Sequence, residues 1–445
     1  MRTILNRTDA ARMLATGVAL LLYLTAQTAA AAPQLMTDYG DQWAWRAGDI
    51  NAMGGTGTAL YRGGISNIYN PALLALETST RLDLGVSLDQ ESEDRFQPLF
   101  DTFENYVTDV AVAANRNHFW QAGFGAAHRL LDGAVPVTAA LSLTDRYPFQ
   151  YTFEEELRNP DPFAAPGGGR DVILEDRTRE LTGTLRNLSL GVGAGVHERI
   201  ALGAAVHYAF GTRADTWRVR DFDTANGDSS YEQVYEQDLD GVNVTLGLSG
   251  KISERVEVGV AWESRLKASG DFQNRRTEPD SGLVLDETHE GYYKYPDIYR
   301  AGLVFRPRTD PATVFTVELE YLPWSKTEDS EKAPGSNEKN LEDTVEVRIG
   351  LQHTFYNGIP VRFGFRHYDA YADKEASASA FSGGVGLPFA AGLFSFSVEL
   401  SKIESVLDHQ FPYPPDYLGD QYEADPQARV EDTRFRIGVT YAVNF

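Results

Sequence analysis

The chain has 445 residues, no cysteine, and 64 acidic against 40 basic side chains, a net charge of −24. Disulfides and thiolate metal sites are thereby excluded, and so acidic a surface repels nucleic acid, which argues against a polyanion-binding role. Mean hydropathy is slightly negative, which argues against a helical membrane protein but not against a β-barrel, whose strands carry lipid-facing residues only at alternate positions.

In chain order, residues 1–32 read as a secretory signal peptide. Arg2, Arg7 and Arg12 form a basic end, Met13 to Leu24 an apolar core, and Ala29 to Ala32 a stretch of small residues for cleavage. The apolar core is shorter than the ~20 helical residues that span a bilayer. An exported chain with no longer apolar run enters a membrane only as a barrel.

Residues 33–78 follow as a separate unit. Met53-Gly54-Gly55-Thr56-Gly57 puts three glycines in four positions, which allows tight turns and close backbone approach. Asn70-Pro71-Ala72 opens a short apolar helical piece, with Asn70 as cap and Pro71, which has no N–H to lose, in the first turn. The unit is too short and too apolar to fold alone. It needs a container.

From residue 79 to 445 the pattern has period two, as expected of strands with two different faces. Leu82, Leu84, Val86 and Leu88 alternate with Asp83, Gly85 and Ser87; Leu188, Leu190 and Val192 alternate with Ser189, Gly191 and Gly193. Short connections fall near Leu131–Pro136, His197–Arg199, Ser253–Arg255, Pro307–Thr313, Asn357–Pro360 and Pro388–Gly392. Long polar ones fall near Glu91–Asn117, Glu154–Glu180, Asp221–Glu236, Gly270–Gly291, Ser325–Asp343, Asp369–Ser377 and Ser405–Glu431. Short-then-long alternation is expected of a transmembrane antiparallel β-barrel, and thirteen connections make about fourteen strands. Phe96, Leu99, Phe100 and Phe103 have the spacing of a small apolar helix within the first long loop, or of ordinary packing. Tyr147, Phe149 and Tyr151, then Tyr292, Tyr293, Tyr295 and Tyr299, then Tyr321 and Trp324 gather at strand ends, as interface aromatics do.

If the apolar set faces lipid, the other set faces the lumen. There Gly191, Gly193, Gly195, Gly203, Gly241 and Gly247 leave a low wall, which makes room for an occupant and relieves barrel curvature. Glu257, Glu263, Glu318, Glu320, Glu346, Arg348, Arg362, Arg366, Arg434 and Arg436 also point inward, either as a structural ion-pair network or as a polar conduit. Pro148 cannot donate to a ladder, so it either ends a paired region near the outer rim or breaks the third strand.

Several of these segments resemble the FadL/TodX family of outer-membrane transporters for long-chain fatty acids and other hydrophobic compounds. The resemblance lies in the glycine-rich Met53–Gly57, in Asn70-Pro71-Ala72 just before the first strand, in Tyr321-Leu322-Pro323-Trp324-Ser325 and, more loosely, in Tyr295-Pro296 to Gly302. It implies a hatch inside the lumen, with Gly54, Gly55, Gly57, Asn70, Pro71 and Ala72 as gate residues, and a kinked third strand with a lateral opening at Pro148. The final strand, with Tyr441 and the terminal Phe445, resembles the barrel-assembly signal of outer-membrane proteins. The chain departs from the family in its outer loops, which are acidic and polar where fatty-acid members have an apolar capture groove.

No HExxH, GxSxG or Walker sequence occurs, and no two of the 8 histidines have metal-ligand spacing, so no catalytic residue, metal or cofactor is assigned. The expected function is passive uptake of hydrophobic or fatty-acid-type compounds across the outer membrane of a Gram-negative cell. The alternatives are a non-transporting barrel that serves a surface-assembly or secretion complex, and a barrel enzyme. The expected partners are a hydrophobic small molecule, outer-membrane lipid and lipopolysaccharide, and the barrel-assembly machinery, but no nucleic acid.

Overall fold

The computed structural model of the protein describes residues 34–41, 46–100, 105–159, 172–222, 229–279, 282–310, 312–331, 341–411 and 427–445. The expected signal peptide, residues 1–32, lies outside the described residues.

Fourteen antiparallel strands close into one barrel, as the alternation requires. They are β1 (Thr80–Phe100), β2 (Tyr106–Leu131), β3 (Val137–Pro148, resuming as Tyr151–Arg158), β4 (Ile173–His197), β5 (Ile200–Asp221), β6 (Tyr231–Ser253) and β7 (Val256–Glu263, resuming as Leu266–Glu278). The rest are β8 (Gly282–Tyr295, resuming as Ile298–Phe305), β9 (Thr313–Leu322), β10 (Thr344–Thr354), β11 (Pro360–Ala370), β12 (Asp373–Phe389), β13 (Gly392–Leu407) and β14 (Ala428–Asn444). β14 pairs with β1 from Arg81↔Asn444 to Phe96↔Arg429, so the sheet closes on itself.

The two faces divide as the pattern predicts. Leu190 is 61% exposed on the outer wall, while its neighbour Ser189 is buried and bonded to the equally buried His207. Such a wall is stable only where the surrounding solvent is hydrocarbon, because exposed Leu, Val, Ile and Phe form a continuous band around it. The six short connections fall where expected, at the end where β1 begins and β14 finishes.

The long connections are shorter than the sequence suggests. β1 and β2 stay paired up to Phe100↔Tyr106, inside the expected loop Glu91–Asn117, and β7 and β8 stay paired up to Glu278↔Gly282, inside Gly270–Gly291. Phe96 therefore lies in a strand and not in a helix; its ring sits under the Arg429 guanidinium at 4.7 Å, while residues 101–104 lie outside the described residues. The physical reason is that a ladder does not end where the bilayer does. Beyond it the outer face meets water instead of hydrocarbon, so the apolar–polar alternation fades. The backbone bonds persist, reinforced by cross-strand pairs such as Arg177–Glu155 at 3.2 Å and Arg116–Asp94 at 3.0 Å.

Candidate functional site: a filled lumen with a gap in its wall

Residues 34–41 and 46–77 lie inside the barrel as short helical turns and connecting segments. Gly54 and Gly55 have φ of +69° and +86°, a region that side chains with a Cβ rarely adopt, so the chain reverses there without strain. Asn70 caps the turn Pro71–Leu76: its side chain accepts from Ala72 N–H at 3.1 Å and donates to Thr58 O at 2.8 Å and to Leu248 O, on the wall, at 3.1 Å. One side chain thus holds its own helix, the glycine loop and β6.

The low wall has an occupant. A Cβ on Gly203 would stand 2.3 Å from Ala72 N, and Gly191, Gly193 and Gly247 abut Asn67, Pro71 and Asn70 in the same way. The other two predicted glycines serve the barrel itself, Gly195 against Pro136 and Gly241 against Lys267 O. Across the barrel Gly364 receives Gly54, and on β7, next to the strand of Gly247, Gly259 receives Thr58, contacts whose glycines no sequence pattern had marked.

The inward charges pair into a network. Arg348 reaches Glu318 and Glu320 at 2.8 Å each and Glu346 at 2.6 Å; Arg366 joins Glu346 to Glu399; Arg300 joins Glu263 to Glu320. Arg436 is held by Asp89 and Arg434 by Glu91. Arg362 turns to Gln352 at 2.7 Å, and Glu257 pairs with Arg306 near the short-turn end. The N-terminal segment in the lumen is wired into the same network. Glu318 accepts from Gly57 N–H at 2.9 Å and Thr58 N–H at 2.7 Å, and Asp41 meets Arg434 at 3.1 Å. These charge-assisted bonds fix the end of the glycine loop by its backbone, while Thr56 Oγ1 donates to Met53 O at 3.1 Å within it.

Most of the aromatics expected at the membrane interface point the other way. Tyr147, Phe149, Tyr151, Tyr293, Tyr295 and Trp324 are buried inside the barrel; Tyr299 and Tyr321 stay on the outer wall. The strands that carry the buried rings are interrupted at Pro148, Pro296 and Pro323, where a missing N–H lets the backbone leave the ladder and turn its side chains inward. The rings touch across the lumen: Tyr147 stacks on Tyr295 at 4.1 Å, Tyr295 meets Trp324 at 6.4 Å, and Trp324 stacks on Tyr371 at 4.4 Å. Leu35, Met36 and Tyr39 at the upper end of the hatch segment are buried among them.

The wall beside this aromatic layer is incomplete. β2 and β3 pair only from Leu131↔Val137 to Gly123↔Thr144, while β3 stays paired to β4 on its other side up to Pro148↔Thr184 and again from Tyr151↔Leu181. β3 therefore leaves β2 at a bulge between Asp145 and Tyr147, before Pro148, and Pro148 lies within the departure and not at its start. Pro148 O is taken by the hatch, which donates Asp41 N–H at 2.9 Å. Across the gap side chains replace ladder bonds. Asp145 accepts from Ala122 N–H at 3.4 Å, Asn117 donates to Thr152 O at 2.9 Å, and Asn115 accepts from Glu154 N–H at 3.2 Å. Tyr441 lies on the outer wall against Phe394 at 4.5 Å, and the ring of Phe445 is exposed at the short-turn rim, away from the lumen. Among the described residues no group of three or more His, Asp or Glu side chains is placed to hold a metal ion.

No protein-family model and no curated protein matches the sequence. Solved structures do match. A FadL homologue from Pseudomonas aeruginosa superposes with a TM-score of 0.62 at 13% identity, over 92% of this chain and 99% of that one. The fold is that of the FadL/TodX channels. The toluene transporter TodX of P. putida gives 0.58 at 13% identity over 89% and 97% of the two chains, and the monoaromatic hydrocarbon channel CymD gives 0.57 at 13% over 90% and 97%. A FadL-type barrel accounts for the strand number and for a helical N-terminal segment in the lumen.

Proposed function

We propose that the chain is an outer-membrane channel that admits small hydrophobic or amphipathic compounds without energy input. The observation that carries this reading is the one-sided gap between β2 and β3, at the level of the buried aromatic layer, with the hatch bonded to its rim through Asp41 and Pro148. The lumen below that level is crossed by buried ion pairs, a poor path for an apolar solute. A solute that has reached the aromatic rings has a shorter way out sideways, into hydrocarbon, through the stretch of wall that lacks a ladder. Gly54, Gly55, Gly57 and Asn70 to Ala72 act as the gate in this scheme, since their contacts with the wall must shift before anything passes downward. The named activities of TodX and CymD favour cargo with an aromatic ring, and a fatty-acid cargo belongs to the same scheme. Assembly into the outer membrane is assigned to the last strand, with Tyr441 and Phe445 as its signal, and lipid and lipopolysaccharide as its surroundings.

The test is uptake of radiolabelled toluene and of a fluorescent fatty acid by cells that express the chain. Pro148→Val returns a donor to β3, and we expect it to lower uptake of the transported compound several-fold while the barrel assembles normally. Unchanged uptake by a normally assembled variant would remove the lateral route, and no uptake by the parent chain would remove the channel reading.

A further inference from the structure

Just past the end of β13 the chain turns inward. β13 and β14 stay paired up to Leu407↔Ala428, and Asp408 accepts from Gln427 Nε2 at 3.0 Å at the rim. The next three residues bond to other parts of the wall. The His409 ring meets the Gln97 amide on β1. Gln410 accepts from Arg179 on β4 at 3.2 Å and donates to the Tyr151 hydroxyl on β3. Phe411 is 2% exposed. Its ring makes a T-shaped contact with Trp217 on β5 at 5.1 Å and stacks on Phe153 of β3 at 6.4 Å, and the Arg177 guanidinium lies 5.8 Å from it. In the closed sheet β5 lies nearly half-way round from β13, so residues 408–411 cross the outer mouth. Phe411 shares one buried cluster there with Leu35, Met36 and Tyr39 of the N-terminal segment. Burial of one phenylalanine ring favours the seated position over a lifted one by a factor of about ten to a hundred, enough to keep the mouth closed and little enough to be reversed.

The piece of wall that this segment grips is the one that lacks a ladder on one side. The resumed half of β3, Tyr151–Arg158, is paired to β4, while toward β2 it has the side-chain bonds of Asn115 and Asn117 in place of a ladder. Its two inward rings, Tyr151 and Phe153, are the ones that Gln410 and Phe411 touch. Arg95 of β1 completes the hold. It donates to Tyr151 Oη at 2.9 Å and to Gln34 Oε1 at 2.6 Å, and its guanidinium lies over Phe153 at 4.3 Å. We infer that residues 408–411 form a strap that closes the outer mouth and, through Phe411 and Gln410, pins the upper half of β3, so that the gap between β2 and β3 widens only when the strap lifts. The inference rests on the channel reading for what passes through the gap; the coupling of strap to strand stands without any cargo.

The experiment is amide exchange on the purified full-length barrel in detergent, with no cargo present. Phe411→Ala should speed exchange at residues 152–157 at least tenfold and leave residues 435–439 of β14 unchanged, because local opening follows the contacts that hold a segment. Gln410→Ala, which keeps the ring and removes the bond to Tyr151, should speed the same residues by a smaller factor. A loop that only packs on the wall would loosen by itself, so exchange at 152–157 that matches the parent in both variants would overturn the inference, as would an equal rise in β14. A second arm locks the strap. The chain has no cysteine, so Gln97→Cys with His409→Cys gives a unique pair, which a short bifunctional methanethiosulfonate reagent bridges reversibly. Bridged cells should lose toluene uptake and regain it with reductant, and uptake indifferent to the bridge would overturn the inference. The two readings fail separately. If the unbridged barrel takes up no toluene, the channel reading falls and the exchange arm alone decides the strap; if uptake is normal and exchange at 152–157 ignores both variants, the channel stands and the strap falls.

Discussion

At the scale of residues, the hatch is held by a few groups whose loss has separable effects. Glu318 accepts two consecutive hatch N–H groups and one Arg348 N–H while almost fully buried. Glu318→Gln keeps the shape and removes the charge. Taking one partner from a buried ion pair costs about 3–5 kcal/mol, and here the cost falls on the junction between wall and plug. We expect protease to cut at Arg46 or Arg62 in the variant well before the barrel unfolds in urea, whereas the parent resists at both sites. Gly203 makes the opposite case. A leucine there meets backbone, the Ala72 amide and the Pro71 carbonyl, and neither can swing away as a side chain would. Gly203→Leu should destabilise the folded barrel by about 1–3 kcal/mol, read as a lower urea midpoint.

At the scale of elements, the strands that overrun the bilayer carry the sharpest expectation. Gln233↔Arg276 and Gln237↔Phe272 are ladder pairs in a segment whose composition reads as loop. Amide exchange at Glu232–Gln237 and Phe272–Thr277 should be slowed as in the membrane band, and rapid exchange there would mean that the polar extensions open independently. Pro148, Pro296 and Pro323 work at this scale as well. Pro148 was legible as a ladder breaker, but its consequence was not, and Pro296 and Pro323 carried no such mark. A strand break between aromatic residues can leave the rings at the interface or turn them into the lumen. Which of the two occurs depends on whether partners wait inside, here Tyr371 and the Leu35–Tyr39 segment, far away in sequence.

At the scale of the molecule, the barrel and its plug are complementary halves of one interior. The glycines on the wall leave space that only the hatch fills, and the hatch caps charges that would otherwise face an open tube. Deleting residues 33–77 should therefore convert a nearly silent barrel into one with large, steady ion conductance in planar bilayers. A deletion variant as silent as the parent would show that the wall, and not the hatch, closes the lumen.

Much of this was written locally. Period-two alternation, with a lipid face and a low or charged inner face, is decided by each strand alone, because the side-chain period is a property of the extended backbone. Strand number, short-turn positions and the helix cap at Asn70 followed from it and from turn chemistry. The inner charges were readable as a set, although not as pairs, since Arg348 meets Glu318 and Glu320 only through the register of β9 against β10. The gap between β2 and β3, the asparagines that bridge it, the inward aromatic layer and the seat of Phe411 against Trp217 carry no local mark. They arise where strands distant in sequence diverge or converge, so the tertiary structure alone decides them. Sequence by itself determined a fourteen-stranded barrel, because the side-chain period is local; the closed sheet decided where its interior is filled and where it is open.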